Sequence, residues 1–241
     1  MEVLASWLAP DDCAWFLDTH LGATPFAAAG RARGALPLLD WSKLDDLLGR
    51  DDDMDVLTVA RGRMIAAPRP RSAADVRDLM GRGASVVVRA SERHDAGLRE
   101  LADSFGRVLP GEVHVQLYAT PAGTNSYGWH YDFEDVFIAQ TAGVKDYYFR
   151  ANTVARESRL GERLDFEAVR RETTPLLASR LVAADWLYLP ARWWHLVTCA
   201  EDALSISVGV MPPSALRDAV RLPAGWSGRG WADPEPGTSA R

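Results

Sequence analysis

The chain has 241 residues, of which 47% are hydrophobic and 25% charged, a balance typical of a soluble globular protein. Its formal net charge of −6 disfavours nucleic acid as a partner, because phosphate binding needs a basic surface. The two cysteines, Cys13 and Cys199, form no CxxC pair, which excludes a disulfide framework and a thiolate zinc site. The N-terminal segment lacks the pattern of a signal peptide, and no apolar run is long enough for a membrane span. We therefore predict a cytoplasmic protein with no membrane partner.

The N-terminal part is predicted to be mostly helical. A first helix would begin on the acidic pair of "DDCAWFLDTH" and place Trp15 and Phe16 inward. A second helix, in "DWSKLDDLLG", has Ser42 as a possible cap and Gly49 as its end. A third helix, in "RSAADVRDLMGRG", would be capped by Ser72.

A short buried strand is predicted at residues 84–90, where "ASVVVRA" is almost continuously apolar. An amphipathic helix should follow it, because Leu98, Leu101 and Phe105 recur at helical spacing. This segment therefore alternates helix, strand and helix.

From Val113 onward the apolar pattern has a period of two, which indicates strands. "DVFIAQT" and "KDYYFR" are predicted to form a hairpin that turns at Gly143. "RLVAADWLYLP" and "HLVTCAEDALSISVGVMPP" supply further strands. Many short strands separated by glycine and proline turns are typical of a jelly roll or a small barrel.

The predicted fold is mainly β with a helical N-terminal part, an α+β arrangement in one compact domain. Residues 1–111 would pack on a β core formed by 112–216. Residues 151–180 are polar and partly helical in pattern, which indicates an insertion. Residues 217–241 are rich in glycine and proline and are predicted to be a tail.

The stretch "GWHYDFEDVF" carries the chemistry of interest. Residues two apart on a strand project to the same face, so His130 and Asp132 could share one metal ion. The alternative is an ordinary strand that happens to carry a histidine and an acid. Bare HxD is a weak pattern, and a third ligand is needed to favour the metal site.

The remaining histidines are the candidates for that third ligand. His20 and His94 lie in charged helical surroundings, and His114 has no supporting neighbours. His195 follows an apolar strand and a proline turn and begins a new strand, which places it at a barrel mouth. Two imidazoles and one carboxylate suit non-haem Fe(II), and the open positions can hold a bidentate cosubstrate and dioxygen.

A 2-oxoglutarate cosubstrate would need a cation for its far carboxylate. Residues 196–216 contain no lysine or arginine, which excludes a cation on the strand after His195. Lys145 is the alternative, with Tyr147 and Phe149 on the same strand face. A second interpretation of Lys145 is a charge that protects an exposed edge strand.

With these residues assembled, the chain resembles the JmjC subgroup of cupin-fold oxygenases, and within it the ribosomal-oxygenase type of protein hydroxylases. "VQLYATPAGTNSYGWHYDFEDVFIAQTAGVKDYYF" and "DWLYLPARWWHLVTCAEDALSISVGV" carry the similarity. The resemblance implies a double-stranded β-helix with His130, Asp132 and His195 as Fe(II) ligands. It also implies Lys145 as the anchor of the 2-oxoglutarate C5 carboxylate.

Two further residues are candidates for contact with the cosubstrate. Gln116 stands where the family often has an asparagine that faces 2-oxoglutarate. Ser207 lies on a strand that often lines the same pocket, although its hydroxyl could equally be satisfied within the sheet.

The resemblance implies an Fe(II)- and 2-oxoglutarate-dependent oxygenase that uses O2 to hydroxylate a C–H bond of a protein or peptide side chain. Three alternatives stay open: a small-molecule or natural-product tailoring hydroxylase, an N-methyl-lysine demethylase, and a non-enzymatic cupin-fold binding module. Neither the substrate nor the oligomeric state is specified by the sequence.

Aromatic and acidic neighbours of the motif have open roles. The aromatic side chains could line the site or simply pack; they are Trp129, Tyr131 and Trp194. The acidic ones could face a basic substrate, with a solvated strand face as the alternative; they are Glu134, Asp135 and Asp146.

Overall fold

A computed structural model describes residues 6–7, 12–50, 53–156, 159 and 165–213. The α-helices of this part are α1 (Asp12–Thr19), α2 (Trp41–Arg50), α3 (Ala73–Gly81) and α4 (Ala96–Gly106). Short 3-10 helices span Arg33–Leu38, Ser91–Arg93 and Phe166–Arg171. The predicted tail, residues 217–241, lies outside the described residues.

The strands are β1 (Phe26–Ala28), β2 (Val56–Ala60), β3 (Arg63–Met64), β4 (Ser85–Val88), β5 (Glu112–Thr120), β6 (Asp135–Ala142), β7 (Lys145–Arg150), β8 (Leu177–Leu181), β9 (Trp186–Leu189), β10 (Trp194–Cys199) and β11 (Ala203–Met211). An eight-stranded sheet has the order β1-β9-β6-β11-β5-β4-β2-β3, and a three-stranded sheet has the order β10-β7-β8. All the pairs are antiparallel.

One apolar core lies between the two sheets. A second core lies between the larger sheet and the helices. Val136 and Ile138 of β6 pack against Tyr147 and Phe149 of β7, which joins the larger sheet to the smaller one. The next residue along β6, Phe137, points the other way and belongs to the core shared with the helices. The fold is therefore a β-rich jelly roll with a helical N-terminal part, as the sequence predicts.

The predicted hairpin of β6 and β7 is wrong. β6 pairs with β9 and β11, whereas β7 pairs with β8 and β10, so the chain crosses from one sheet to the other between them. Gly143 makes this crossing with a φ of 68°, and a Cβ there would lie 2.2 Å from the backbone oxygen of Asp202. The turn is tight because it packs against another part of the chain, and only glycine fits it.

Several predicted helix features are confirmed. Ser72 accepts a hydrogen bond from the Asp75 N–H at 3.1 Å and caps α3. The apolar face of α4 is buried through Leu98, Leu101 and Phe105. Residues 84–90 do contain a fully buried strand, β4.

Other features at the N-terminal end differ from the prediction. Asp40 rather than Ser42 caps α2, because its carboxylate accepts a hydrogen bond from the Lys43 N–H at 2.7 Å. Gly49 lies inside α2, which ends one residue later. Trp15 is 47% exposed, whereas Phe16 is buried as predicted.

The N-terminal part also contributes β1 to β4, all of which extend the larger sheet. The division at residue 111 stays a prediction. Of the proposed insertion at 151–180, the described residues hold one 3-10 helix and the start of β8. Among the described helices, none combines the length and apolar character needed to cross a bilayer.

Candidate metal and cosubstrate site

His130 and Asp132 lie in the loop between β5 and β6, and the prediction that they share a strand is wrong. His130 forms a single antiparallel bridge with His195 of β10. The His130 N–H donates to the His195 carbonyl at 3.1 Å, and the His195 N–H donates back at 2.8 Å. Two backbone hydrogen bonds therefore hold the loop against the smaller sheet at the position of both histidines.

The three predicted ligands come together. One ligand atom from each of His130, Asp132 and His195 lies within 4.8 Å of the others. The His195 Nε2 is 3.5 Å from the Asp132 Oδ2. Within the described part of the chain this is the group of histidine, cysteine and acidic side chains that could hold a metal ion.

Both imidazoles are oriented by the backbone. The Nδ1 of His130 lies 2.9 Å from the Gly128 carbonyl, and the Nδ1 of His195 lies 3.0 Å from the Trp193 carbonyl. A carbonyl only accepts, so Nδ1 carries the proton in each ring and the lone pair of Nε2 faces the shared centre. Burial and the nearby His195 lower the pKa of His130 to about 4, which favours the neutral, ligating form.

Lys145 is the first residue of β7 and only 3% exposed. β7 is the central strand of the smaller sheet, so the edge-strand interpretation is wrong. The Lys145 ammonium donates to the Ser205 hydroxyl at 2.8 Å and lies 5.7 Å from the centre of the Tyr118 ring. Burial lowers the pKa of Lys145, while neighbouring Cys199 acts in the opposite direction.

Gln116 and Ser207 are direct cross-strand neighbours on β5 and β11. The next pair on the same face is Tyr118 and Ser205, and the Tyr118 hydroxyl donates to the Gln116 Oε1 at 3.1 Å. These polar side chains form one continuous row on the face of the larger sheet that contacts Lys145. The contact of Ser205 with Lys145 was not predicted. Its position two residues before Ser207 on the same strand could have indicated that both hydroxyls face the same side.

Tyr131 and Trp194 belong to a buried apolar cluster next to the metal ligands. Their rings meet edge to face, with centroids 4.7 Å apart and planes at 87°. The Trp194 indole N–H donates to the buried Glu172 carboxylate at 2.9 Å. Trp129 is partly buried and packs against the same cluster.

Glu172 is a site residue that sequence reasoning missed. Its carboxylate accepts from the Thr153 N–H at 2.7 Å, the Thr153 hydroxyl at 2.6 Å and the Val154 N–H at 2.9 Å, besides Trp194. These contacts join the segment after β7 to the residue that precedes His195. Nothing in the local pattern of residues 165–175 distinguishes this acid from its exposed neighbours.

The two flanking acids have structural roles. Asp146 is paired with the exposed Arg180, at 2.7 Å from its Nε. Asp135 accepts from the Tyr188 hydroxyl at 2.6 Å and from the Ala191 N–H at 3.1 Å, which joins β6 to the end of β9. Neither carboxylate is free for a substrate.

Glu134 differs from both. Its carboxyl group lies directly over Gly209 of β11, where a Cβ would be 2.4 Å from Oε2. Burial, together with the negative charges of Asp132 and Asp135, raises the pKa of Glu134 to about 8. Glu134 is therefore half-buried, with its carboxyl group packed against β11.

A double-stranded β-helix with two histidines and one aspartate converging at its mouth defines a cupin-type metal-binding protein. Residues 90–217 match the JmjC domain family, and the chain belongs to that family.

Two curated relatives are consistent with the assignment to the JmjC family. The chain is 26% identical over 217 residues to the bifunctional lysine-specific demethylase and histidyl-hydroxylase NO66 of Drosophila pseudoobscura pseudoobscura, an alignment that covers 86% of this chain and 22% of that protein. It is 30% identical over 111 residues to ribosomal oxygenase 1 of Gallus gallus, which covers 46% of this chain and 18% of that one. The chain thus spans about a fifth of the length of these two relatives.

Solved structures share the fold. The ribosomal oxygenase YcfD of Escherichia coli, in complex with cobalt and succinic acid, superposes with a TM-score of 0.60 at 20% identity. The superposition covers 95% of this chain and 60% of that one. Its complex with cobalt and 2-oxoglutarate gives a TM-score of 0.59 over the same shares.

Proposed function

We propose that the protein is an Fe(II)- and 2-oxoglutarate-dependent oxygenase that hydroxylates a C–H bond of a protein or peptide side chain. The observation that carries the proposal is the convergence of His130, Asp132 and His195 within 4.8 Å. Two neutral imidazoles and one carboxylate are the donor set of a non-haem Fe(II) oxygenase, and they leave coordination positions open. A closed structural zinc site would need a fourth ligand.

The residues around the triad fit this cofactor. Lys145 would bind the C5 carboxylate of 2-oxoglutarate, since its buried ammonium group donates to the neutral Ser205 hydroxyl and its charge is not balanced by that contact. Gln116 and Ser207 would line the space between Lys145 and the metal ligands. When bound, iron with 2-oxoglutarate and O2 supplies an oxidation that inserts one oxygen atom into a C–H bond and leaves succinate and CO2.

The chain itself contributes ligation, orientation and exclusion of water. The Gly128 and Trp193 carbonyls keep the protons of both imidazoles on Nδ1, so that Nε2 of each ring would be the atom that holds the metal. Tyr131 and Trp194, which are adjacent in sequence to the three proposed ligands, are buried in one apolar cluster and would limit the access of water from that side. A protein substrate is supported by the ribosomal oxygenases among the relatives and by the structures of YcfD.

N-methyl-lysine demethylation is a second candidate, because the relative NO66 is named as both a demethylase and a hydroxylase. A small-molecule tailoring hydroxylase would use the same site. A non-enzymatic binding module is disfavoured, since a complete triad and the buried Lys145 are both present. A cytoplasmic location is part of the same proposal and is supported by the two free thiols, Cys13 and Cys199.

The test is turnover with defined products. The protein with Fe(II), ascorbate and 2-oxoglutarate should form succinate slowly without substrate and faster with the right one. Ribosomal proteins, cell-derived peptide pools and metabolite pools distinguish the substrate classes. A stable product heavier by one oxygen indicates hydroxylation, whereas formaldehyde indicates demethylation. No succinate under any of these conditions would refute the proposal.

A further inference from the structure

We propose that the groove between α4 and the start of β5 is a docking site for an extended, acidic peptide segment of a partner protein. None of the residues that line the groove is a metal ligand or a candidate for contact with the cosubstrate, so the inference does not depend on the proposed oxygenase function. Three observations support it: the cavity itself, an open edge of β5 that faces it, and the arginine side chains around it.

The groove encloses a volume of about 740 Å³, within the range of pockets that bind ligands. One wall is a stripe of α4 at helical spacing, formed by Arg99, Ala102, Asp103 and Gly106. The opposite face of α4 is buried in the core. The other side of the groove is formed by the 3-10 helix at residues 91–93 and by the first residues of β5. Small residues in the α4 stripe leave open space between the helix and the strand.

The start of β5 has an open edge on the side of the groove. β4 pairs with β5 only along residues 117–119. At Val115, side chains take the place of a neighbouring strand, because its N–H donates to the Glu92 carboxylate at 2.9 Å and its carbonyl accepts from the Ser91 hydroxyl at 2.9 Å. Residues two apart on an antiparallel strand direct their backbone groups to the same side, so those of Val113 face the groove. No strand of the described part of the chain pairs with Val113 there.

Three arginine side chains line the groove: Arg93, Arg99 and Arg107. Arg99 is held in place, since its Nε donates to the Glu92 carbonyl at 3.2 Å and its Nη2 donates to the Arg93 carbonyl at 3.0 Å. Carbonyls carry no net charge, so the charge of Arg99 stays unbalanced by these contacts. The guanidinium groups of Arg93 and Arg107 make no hydrogen bond or ion pair with any described residue.

The charge of the groove is opposite in sign to that of the whole chain. Its three arginines outnumber its two acids, Glu92 and Asp103, and the Glu92 carboxylate is already engaged by the Val115 N–H. The chain as a whole has a formal net charge of −6. A basic groove on an acidic protein complements a negatively charged ligand.

An extended acidic peptide satisfies both the open edge and the arginines. Its backbone can pair with Val113 as an added strand. A glutamate or aspartate on the same peptide can accept two parallel hydrogen bonds from a guanidinium group. A nucleic acid would supply the negative charge but no partner for the strand edge, so the geometry favours a protein segment.

The first test measures peptide binding to the full-length protein without added metal or 2-oxoglutarate. The probe is a short fluorescein-labelled peptide that alternates threonine and valine around one central glutamate, with matched peptides that carry glutamine or lysine instead. Fluorescence anisotropy should give a Kd at least about tenfold lower for the glutamate peptide than for the glutamine peptide. The negative charge of the whole chain would favour the lysine peptide, so a preference for glutamate reports on the groove. Equal affinity for the glutamate and glutamine peptides, or no binding, would overturn the inference.

The second test changes the arginines. The double variant Arg93→Gln, Arg107→Gln removes two exposed charges and should abolish the preference for glutamate. Arg82→Gln, at an exposed arginine of an i,i+4 pair outside the groove, is the matched control and should keep the preference. A double variant that still prefers the glutamate peptide would overturn the inference.

The third test addresses the strand edge. Val113→Pro removes the N–H that an added strand would use, and it should weaken the binding of the glutamate and glutamine peptides alike. Hydrogen exchange of the Val113 amide in the wild type is an independent measurement and should slow when the glutamate peptide is bound. Unchanged exchange, or a folded Val113→Pro variant that binds as tightly as the wild type, would rule out strand addition and with it the inference.

Discussion

The ammonium group of Lys145 lies 2.8 Å from the hydroxyl of Ser205, buried between the two sheets. The hydroxyl of Ser205 is neutral, so no carboxylate of the described residues matches the positive charge of Lys145. An unpaired charge is costly in the protein interior. Binding of an anionic ligand such as 2-oxoglutarate would therefore stabilise the buried ammonium group of Lys145.

Replacing Lys145 by methionine keeps the volume and removes the charge. We expect the KM for 2-oxoglutarate to rise about 10- to 100-fold, the loss of one charge-assisted hydrogen bond of about 1.5–3 kcal/mol. Steady-state succinate formation measures this. Arg180→Met, at an exposed cation on the adjacent strand β8, is the matched control and should leave the KM unchanged. Equal KM values for wild type and Lys145→Met would remove Lys145 from the cosubstrate site.

Much of the site was predictable because metal and anion chemistry demands particular residue types. Residue type and spacing predicted that His130, Asp132 and His195 meet, and they do come together. The role of Lys145 as the anchor of the cosubstrate stays a prediction. Strand partners were not predictable, since alternation identifies a strand but not its neighbour. β6 is buried on both faces, and that burial places it in the middle of the larger sheet rather than in a hairpin with β7.

Contacts made across long sequence separations also escaped prediction. Glu172 acquires its role from Trp194 and from Thr153, neither of which is near it in sequence. The prediction for Trp15 was wrong for a different reason. Its aromatic side chain was predicted to face the core, but it is 47% exposed. Hydrophobicity alone does not fix which of two adjacent aromatic residues faces the core.

Replacing Glu172 by alanine should destabilise the fold. Glu172 is 6% exposed, and its removal leaves the N–H groups of Thr153, Val154 and Trp194 without their acceptor. We expect the free energy of unfolding to fall by about 2–4 kcal/mol, measured by denaturant titration. Glu167→Ala, at an exposed acid nearby, should change it by less than about 0.5 kcal/mol. A similar small change for both variants would contradict the proposed role of Glu172 as a structural hub.

The stabilisation from Glu172 should depend on pH. Burial alone would raise the pKa of its carboxyl group, but hydrogen bonds from Thr153, Val154 and Trp194 outweigh burial and lower it. Since the pKa is lower in the folded state, the stabilisation is complete above the unfolded value of about 4.3 and is lost as the pH falls through the folded value. The stability difference between wild type and Glu172→Gln should therefore be constant from neutral pH to about pH 5 and shrink in more acidic solution. A difference that grows on acidification would contradict this.

The tight turn at Gly143, where the chain passes from β6 to β7, can be tested by comparing alanine substitutions at Gly143 and Gly123. Gly143 and Gly123 have φ values of 68° and 71°, so alanine is strained at both. A Cβ at Gly143 would also collide with the Asp202 backbone, whereas one at Gly123 has nothing within 4 Å. Gly123→Ala should lower the free energy of unfolding by about 1–2 kcal/mol, and Gly143→Ala by at least about 2 kcal/mol more. Equal losses would show that the contact with Asp202 is easily relieved.

We propose that His130, Asp132 and His195 hold Fe(II) and leave coordination positions at which 2-oxoglutarate can chelate it. The most direct measurement is anaerobic titration of the protein with Fe(II) and 2-oxoglutarate, followed by visible absorption. We predict the weak charge-transfer band of the chelate in the wild type and in His114→Ala, a histidine outside the triad, and its loss in His130→Ala. A wild-type protein without the band, or a His130→Ala variant that retains it, would contradict the account.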